Sequence, residues 1–323
     1  VVIFYLGARR IVQHTLTIGE YVAFTFYLGR MIWPLIALGW VMNLVQRGLA
    51  SMQRLHEVWS VIPNEVEGTG TVERGDIDIR NLTYAYPSSP RPVLRDVNLS
   101  VRAGETVGIV GRTGSGKSTL LQLITRSFEP PPGTVFIDGR PIEAISLRAL
   151  REMIGAVPQE TFLFSESIAE NIRFGRAGAT DAEVEQAANE AGLATDVATF
   201  PNGVGTMIGE RGITLSGGQK QRTAIARALI RNPLILILDD SLSAVDTQTE
   251  ERILDSLRTI RRGRTVLIVS HRVSSVKDAD SIVVLDDGRV VERGTHESLL
   301  AKRGYYAELY RKQTIEQEIE EIA

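Results

Sequence analysis

The sequence contains no cysteine among its 323 residues. This absence excludes disulfide bonds, thiolate metal sites and cysteine nucleophiles together, and it fits a protein of a reducing compartment. The chain also lacks a basic excess, because 36 lysines and arginines stand against 39 acidic residues, for a formal net charge of −3. This balance gives no indication of a nucleic-acid partner. The length suits one medium-sized domain with an appendage.

Charge is scarce in residues 21–45, which form a nearly continuous apolar run with one charged residue, Arg30. A bilayer span needs about 20 apolar residues. The aromatic residues Tyr21, Trp33 and Trp40 favour a transmembrane helix over the buried core helix of a soluble protein. Because a charge inside a span is costly, we expect Arg30 either to line a substrate pathway or to pair with a charge on a neighbouring helix.

A second apolar stretch, residues 1–6, precedes this span, and no cleavage-site pattern follows, which argues against a signal peptide. We expect the chain to begin near the end of an earlier span. The full span is expected to continue as an amphipathic cytoplasmic helix until Ile62 and Pro63 stop it. The predicted segments are the C-terminal part of a transmembrane domain at 1–62 with its full span at 20–45, a linker at 63–75, a second domain at 76–310 and an acidic, solvated helical tail at 311–323.

From residue 76 onward, runs of valine, isoleucine and leucine alternate with helical patterns, which is typical of an α/β domain whose strands are buried on both faces. The predicted strands are residues 77–82, 97–101, 106–110, 134–137, 154–157, 234–238, 265–269, 281–285 and 289–292. The predicted helices are residues 117–125, 181–191, 217–230 and 248–260.

A complete phosphate-binding loop lies between the strand at 106–110 and the helix at 117–125. Its residues are Gly111, Arg112, Thr113, Gly114, Ser115, Gly116, Lys117, Ser118 and Thr119. The glycines let backbone amides turn inward, and these amides hold phosphate charge together with the helix N-terminus. We expect Lys117 to contact the β- and γ-phosphates and Ser118 to ligate Mg²⁺. The loop therefore predicts nucleotide binding.

Two adjacent carboxylates, Asp239 and Asp240, follow the apolar run at 234–238. They should emerge at the carboxyl end of a central strand, where parallel sheets bind their ligands. With a phosphate-binding loop upstream, Asp239 is expected to help hold Mg²⁺ from just outside its first layer of ligands.

A second anion-binding feature is the sequence Leu-Ser-Gly-Gly-Gln at residues 215–219. Ser216 is predicted to cap a helix, and Gly217 and Gly218 leave the first amides bare before Gln219. Two anion sites of different design in one chain suggest that each serves a different nucleotide.

Together these motifs resemble the ATP-binding domain and last membrane helix of an ABC exporter. Residues 215–219 match the signature motif of that family. Residues 16–24 and 46–48 resemble its last span, and the segment 206–212 around Glu210 resembles its exporter-specific segment.

The resemblance implies roles for further residues. Gln159 matches the Q-loop glutamine, which in the family touches Mg²⁺ and senses the membrane domain. His271 matches the switch histidine at the γ-phosphate, and residues 243–246 match the D-loop. Tyr86 lies where the family stacks an aromatic ring on adenine, with Tyr84 as the alternative.

The implied fold is an ABC-type P-loop NTPase domain of the α/β class, with a helical subdomain and an antiparallel β subdomain, preceded by an α-helical transmembrane segment. The implied cofactors are ATP and Mg²⁺. Two such domains would form a sandwich in which the P-loop of one chain faces the signature motif of the other. The family also implies a multi-pass protein of the inner (plasma) membrane with its ATP-binding domain in the cytoplasm and a drug-, lipid- or peptide-like substrate.

The chain departs from the family at Asp240, where a glutamate normally polarises the attacking water. One methylene fewer withdraws the carboxylate by about 1.5 Å, and a general base must reach its proton within about 2.6–3.2 Å or through one water. We expect ATP binding to survive and hydrolysis at this site to be slow, though not abolished, because His271 is retained. Asp240 thus indicates the degenerate half of a heterodimeric exporter, whose intact signature motif completes the partner's site.

Three other interpretations remain open at this point. The chain could form a homodimeric exporter with two slow sites. A soluble ABC-type ATPase of DNA repair or translation would share the phosphate-binding loop and signature motif but not the apolar span. A regulatory or channel-like half would bind nucleotide without turnover.

Overall fold

The computed structural model of the protein describes residues 1–60, 68–209, 213–240, 260–261 and 263–322, with side chains up to residue 315. The chain divides into two compact units, Val1–Asn64 and Glu65–Ala323.

The first unit consists of helices α1 (Val2–Val12) and α2 (Ile18–Trp59). A capping box begins α2: the Thr17 side chain accepts the Glu20 backbone N–H, and the Glu20 carboxylate accepts the Thr17 backbone N–H. Helix α2 has 42 residues, so it is about 63 Å long at about 1.5 Å per residue. It is long and apolar enough to cross a membrane, and its length leaves room for the predicted extension. The predicted stop at Ile62 and Pro63 lies outside the described residues.

The second unit is built on two sheets. Its strands are β1 (Ile77–Tyr84), β2 (Leu94–Val101), β3 (Thr106–Val110), β4 (Val135–Ile137), β5 (Arg140–Pro141), β6 (Ile154–Val157), β7 (Ile235–Asp239), β8 (Thr265–Val269), β9 (Ser281–Asp286) and β10 (Arg289–Gly294). One sheet has the order β10-β9-β3-β8-β7-β6 and is parallel except for β10. The other is antiparallel, with the order β2-β1-β4-β5.

Eight helices surround these sheets in the described part of this unit. They are α3 (Lys117–Ile124), α4 (Leu147–Met153), α5 (Ile168–Arg173), α6 (Asp181–Glu190), α7 (Ala194–Val197), α8 (Gly217–Leu229), α9 (His296–Lys302) and α10 (Tyr305–Ile322). Short 3-10 helices occur at Ile142–Ala144 and Gly203–Gly205.

The parallel sheet separates two apolar cores, and β7 shows how one strand supplies both. Ile235 and Ile237 pack with α3 and the antiparallel sheet, whereas Leu236 and Leu238 pack with α5, α6 and α8 on the opposite face. All four side chains are buried. Successive side chains of a strand point to opposite faces, so a strand covered on both sides must be apolar throughout, as the sequence indicated.

The predicted α/β architecture is confirmed, including the antiparallel β subdomain and the helical subdomain. Every predicted strand is present, and β2 begins three residues earlier than expected, at Leu94. No prediction was made for β5 or for the short helices α4, α5, α7 and α9, which are too brief to show a clear period. Of the helix predicted at 248–260, only Ile260 lies within the described residues. The helix that contains the predicted tail, α10, begins at Tyr305, where Tyr306 and Ala307 are buried ahead of residue 311.

One carboxylate fixes the chain segment that enters the second unit. Asp138, just after β4, accepts the backbone N–H groups of Glu73 (2.6 Å) and Arg74 (3.0 Å) at Oδ2 and those of Gly75 (2.8 Å) and Asp76 (3.0 Å) at Oδ1. Partial burial raises the pKa of Asp138, but the four N–H donors together outweigh it and hold this pKa below its ordinary value. The charged form is therefore the one that the fold stabilises.

We expect Asp138→Asn to lower the melting temperature by about 3–6 °C at pH 7, because the amide cannot accept all four bonds and about 1–2 kcal/mol is lost. A carboxylate with a depressed pKa stabilises the fold above its unfolded pKa and loses this effect as the pH falls through the folded value. The difference between the two proteins should therefore shrink in thermal scans as the pH falls below about 4, the ordinary pKa of an aspartate.

Asp78→Asn is the matched control, since Asp78 pairs with Arg80 two residues away at the surface. It should change the melting temperature little. Equal effects of the two substitutions at pH 7 would contradict the anchoring role of Asp138.

Candidate nucleotide-binding site

The carboxyl ends of four neighbouring parallel strands form one edge of the larger sheet. The phosphate-binding loop follows β3, His271 follows β8 after one residue, and Gln159 follows β6 after one residue. Asp239 ends β7 and Asp240 follows it. Because parallel strands end side by side, residues that are far apart in sequence meet at this edge.

The phosphate-binding loop is closed around the ammonium group of Lys117. Its Nζ donates hydrogen bonds to the carbonyl oxygens of Gly111 (2.8 Å) and Arg112 (3.0 Å). An ammonium has three N–H donors, and these carbonyls use two of them. Burial lowers the pKa of Lys117, while the carboxylates of Asp240 and Asp239 act in the opposite direction. The loop is therefore preformed around a cation.

Gly116, the residue just before α3, has a backbone conformation and a close environment that only glycine can adopt without strain. Its φ is +103°, and an added Cβ would lie 2.7 Å from Leu94 Cδ2 and 3.2 Å from the carbonyl oxygen of Val93. Glycine adopts positive φ without steric cost, so this turn lets α3 start directly after the loop. No side chain caps that start, which leaves its N–H groups for an anion.

Ser118 and Asp239 come together from different elements, with Ser118 Oγ 3.4 Å from Asp239 Oδ1. Burial raises the pKa of Asp239 above its ordinary value and Asp240 adds to this rise, while the Ser118 hydrogen bond and Lys117 oppose it. The negative charge of this half-buried carboxylate is poorly compensated, and a bound divalent cation would stabilise it.

These residues fit the expected ATP and Mg²⁺. Mg²⁺ prefers oxygen ligands and usually binds one or two protein groups together with phosphates and waters, so a serine hydroxyl beside one carboxylate suffices. No cluster of three or more His, Cys, Asp or Glu side chains suited to a metal occurs among the described residues. In the same part of the chain, the hydroxyl of Ser115 is buried within the loop without a hydrogen-bond partner. A bound phosphate would satisfy it.

Asp240 is held against the segment that carries His271. Its Oδ1 accepts the backbone N–H of His271 (3.1 Å) and lies 2.7 Å from Nδ1 of the same residue. The Asp240 side chain is 13% exposed, whereas that of His271 is 50% exposed. The backbone of Asp240 is left-handed, with φ +44°, which aspartate tolerates better than most residues. The two proposed catalytic side chains therefore form one pair at the sheet edge.

The aromatic and glutamine candidates lie around this centre. The Tyr86 hydroxyl is 2.9 Å from Thr119 Oγ1 and donates to Gln122 Oε1 (3.1 Å), so Tyr86 folds over the start of α3. Tyr84 is 9% exposed in the core of the second unit. This burial favours Tyr86 over Tyr84 as the residue with an accessible ring. Gln159 is exposed.

The signature motif forms a separate structure at the start of α8. Ser216 Oγ accepts the backbone N–H of Gln219 (3.3 Å), and Gln219 Oε1 accepts that of Ser216 (3.0 Å). This capping box confirms the predicted helix start. Ser216 and Gly217 are exposed, while Gly218 is buried. An anion could therefore approach the helix start from solvent.

One residue that supports the signature motif was missed in the sequence analysis. Asp196, on α7, accepts Gln219 Nε2 (3.1 Å) at Oδ1, and at Oδ2 it accepts Arg222 Nε (3.1 Å) and Nη2 (2.8 Å). The Asp196 side chain is 17% exposed and that of Arg222 is 9% exposed. The bonded residues are 23 and 26 positions apart in the sequence, so no local motif predicts these bonds.

The structure brings together Lys117, Ser118, Asp239, Asp240 and His271. Within the described part of the chain, the side-chain hydrogen bonds of Ser216 and Gln219 are with each other and with Asp196, and none joins the phosphate-binding loop. The D-loop at 243–246 and residues 210–212 of the exporter-specific segment lie outside the described residues.

The comparisons with known proteins agree with these features. The family model described as ABC transporter matches residues 94–243. The probable multidrug resistance ABC transporter ATP-binding/permease protein YheI of Bacillus subtilis is 47% identical over 312 residues, which are 96% of this chain and 53% of that protein. The ATP-dependent lipid A-core flippase of Pseudomonas fluorescens is 45% identical over 296 residues, 90% of this chain and 49% of the flippase.

A solved structure of a bacterial Atm1-family ABC exporter with ATP bound is similar as well. The TM-score is 0.75 at 40% identity, and the match covers 93% of this chain and 53% of the exporter chain. The present chain thus spans about half the length of the curated relatives and the solved structure that it matches.

We expect Asp239→Asn to reduce the affinity for ATP by about tenfold when Mg²⁺ is present and to leave it nearly unchanged in EDTA, because the substitution removes a metal-orienting carboxylate. It should also raise the melting temperature of the nucleotide-free protein, since it removes a buried charge next to Asp240. Titration with a fluorescent ATP analogue and thermal scans measure the two effects.

Asp286→Asn changes an aspartate at the carboxyl end of β9, which β3 and β8 separate from β7, and serves as the control. A response to Mg²⁺ that is the same in the wild type and in Asp239→Asn would contradict the metal role of Asp239.

Proposed function

We propose that this chain, which belongs to the ABC transporter family because a member 47% identical covers 96% of it, is the ATP-binding part of an exporter half-transporter. It would couple ATP binding and hydrolysis to the export of a drug-, lipid- or peptide-like substrate. The observation that carries this proposal is the meeting of Lys117, Ser118 and Asp239 at one sheet edge, in a chain that also has a 42-residue helix long and apolar enough to cross a membrane. The names of the relatives, a multidrug-type transporter and a lipid A-core flippase, support this substrate range.

Binding of ATP would rest on preformed contacts. The backbone amides at the start of α3 and the remaining N–H of Lys117 would hold the β- and γ-phosphates. Ser118 would ligate Mg²⁺, with Asp239 and the exposed Gln159 orienting it. When bound, this ion neutralises charge on the phosphates. Tyr86 would stack on adenine with its ring, anchored at its hydroxyl by Thr119 and Gln122.

Hydrolysis would depend on the pair of Asp240 and His271. Water attacks the γ-phosphorus, the bond to the β–γ bridging oxygen breaks, and ADP and phosphate leave. Asp240 would accept the proton of that water, and His271 would face the γ-phosphate. The side chain of Asp240 is one methylene shorter than the glutamate that the family usually has at this position. Its carboxylate also accepts the backbone N–H of His271. Both facts argue that this chain's own site turns over slowly.

The signature motif would act on a different nucleotide. In a sandwich of two ATP-binding domains, Ser216 and the amides of Gly217 and Gly218 would contact the phosphates held by the partner's loop. The separation of the capping box from the loop contacts supports this arrangement. We favour a heterodimer, in which the partner has the faster site, over a homodimer with two slow sites.

The proposed membrane location rests on helix α2. This helix would cross the inner (plasma) membrane as one span of a multi-pass protein, with the ATP-binding unit in the cytoplasm. Its extension beyond the bilayer would transmit closure and opening of the ATP sandwich to the substrate path. Arg30, whose guanidinium lies 5.0 Å from the ring centre of Phe26, is proposed to line that path. No nucleic-acid partner is proposed.

We expect Asp240→Glu to raise the ATP turnover of the assembled transporter, by up to about 100-fold at this site, because the added methylene restores the reach of the base. Steady-state phosphate release with saturating MgATP measures the effect.

The matched control is Asp239→Glu, which adds the same methylene to the neighbouring carboxylate and should not raise turnover, because it would displace Mg²⁺. Turnover that stays the same or falls in Asp240→Glu would contradict the reach argument.

We expect substitutions in the signature motif to harm total turnover more than Asp240→Asn does. Gly217→Asp places a negative charge where a phosphate would bind and should reduce turnover by tenfold or more, and Ser216→Ala removes a cap worth about 1 kcal/mol. Asp240→Asn should cost less than about twofold, because the partner's site supplies most of the turnover. Phosphate release by the assembled transporter gives all three values.

Ser167→Ala removes the equivalent cap of α5, where Ser167 Oγ accepts the Glu170 N–H (3.1 Å), and controls for helix stability. If Asp240→Asn alone abolished turnover, the partner-site account would be wrong and the homodimer with two slow sites would be favoured.

A further inference from the structure

Helix α10 contacts the segment that carries His271, at a position that no sequence motif marks. Gln313 Nε2 donates to the carbonyl oxygen of His271 (2.6 Å), and Gln313 Oε1 accepts the backbone N–H of Val273 (2.8 Å). One side-chain amide thus binds the backbone on both sides of Arg272. An amide offers a donor and an acceptor close together, so a glutamine suits this pair of backbone groups.

The backbone of this segment is also held from the opposite direction. Ser270 N–H donates to the carbonyl oxygen of Ile109 on β3 (3.1 Å), and His271 N–H donates to Asp240 Oδ1 (3.1 Å). Val273 is 1% exposed, whereas the His271 side chain is half exposed. The ring therefore lies at the surface of the site while the backbone on either side of it is fixed.

The start of α10 is itself fixed at the nucleotide site. Glu292, on β10, accepts the N–H groups of Tyr305 (2.5 Å) and Tyr306 (3.3 Å). The guanidinium of Arg112, in the phosphate-binding loop, lies 5.5 Å from the ring centre of Tyr305. Gln313 is eight residues further on, about 12 Å along the helix axis. Helix α10 therefore contacts both the phosphate-binding loop and the His271 segment.

We propose that Gln313 is a positioning residue for ATP hydrolysis, which sets the backbone of residues 271–273 so that His271 and Asp240 keep their mutual geometry. This inference rests on the proposed function. It gives the tail helix a part in the nucleotide site, where the sequence alone suggested only a solvated end. Gln313 would contact neither the nucleotide nor the attacking water and would act through the position of His271.

The test uses the full-length protein and the variants Gln313→Ala and Gln313→Glu. Alanine removes both bonds. Glutamate keeps an acceptor for Val273 but sets a second oxygen against the His271 carbonyl, which repels it. Thr314→Ala is the matched control, because Thr314 Oγ1 bonds to Tyr310 O within the same helix.

The first measurement is amide hydrogen exchange without nucleotide, in peptides that cover residues 270–277. Gln313→Ala should speed exchange of this segment about fivefold, as expected for the loss of one net hydrogen bond, with the melting temperature lowered by no more than about 4 °C. Thr314→Ala should leave the segment as in the wild type. Unchanged exchange in Gln313→Ala, or acceleration spread over the whole unit, would overturn the proposal.

The second measurement is ATP turnover in the assembled transporter carrying Asp240→Glu, where this chain's own site contributes. Gln313→Ala and Gln313→Glu should each reduce the turnover that Asp240→Glu adds about fivefold while KM for ATP stays within about twofold, because the phosphate-binding loop is untouched. A change in KM alone, or no change in either, would overturn the proposal. If the transporter without the Gln313 substitutions failed to cleave ATP, the proposed function would fall, and the exchange result would still decide whether Gln313 orders the segment.

Discussion

The structure of the site depends on the parallel packing of β3, β8, β7 and β6, which end side by side. Apolar side chains on both faces of each strand fix the register, and the register fixes which residues meet at the carboxyl edge. In this way Lys117, Asp239, Asp240 and His271 reach one place from separate parts of the sequence. The arrangement buries like charges together, and this burial raises the pKa of Asp239. A site that is poorly compensated without ligand is suited to bind a cation with a polyphosphate.

The sequence predicted the strands of the larger sheet and the phosphate-binding loop because both carry local patterns, apolar runs and a fixed glycine spacing. It also predicted the Ser216 cap, whose partner Gln219 is three residues away. It could not predict Asp138, Asp196 or Gln313, since each binds groups 23 to 65 residues distant in sequence. Such contacts depend on tertiary packing, and the residue type alone does not reveal them. Short helices such as α7 were not predicted for a related reason: four residues are too few to show the helical period of apolar side chains.

Asp240 connects the geometry of this site to the proposed division of labour between two chains. Its carboxylate is bonded to the His271 segment, and Gln313 binds the same segment from α10. Several contacts thus hold the residue proposed as the base, and Asp196 supports the start of the helix that carries the signature motif. The proposed function treats the shorter side chain of Asp240 as the cause of slow hydrolysis. This combination is expected of a subunit that binds ATP firmly and completes a second site on its partner.

The most direct test is to follow the ATP held by this chain through a single turnover. The assembled transporter would be loaded with a photoreactive, radiolabelled ATP analogue, mixed briefly with Mg²⁺ and cross-linked, and the nucleotide attached to each chain would be identified. The account predicts triphosphate on this chain while the partner already carries diphosphate. Diphosphate on both chains at the same rate would contradict it.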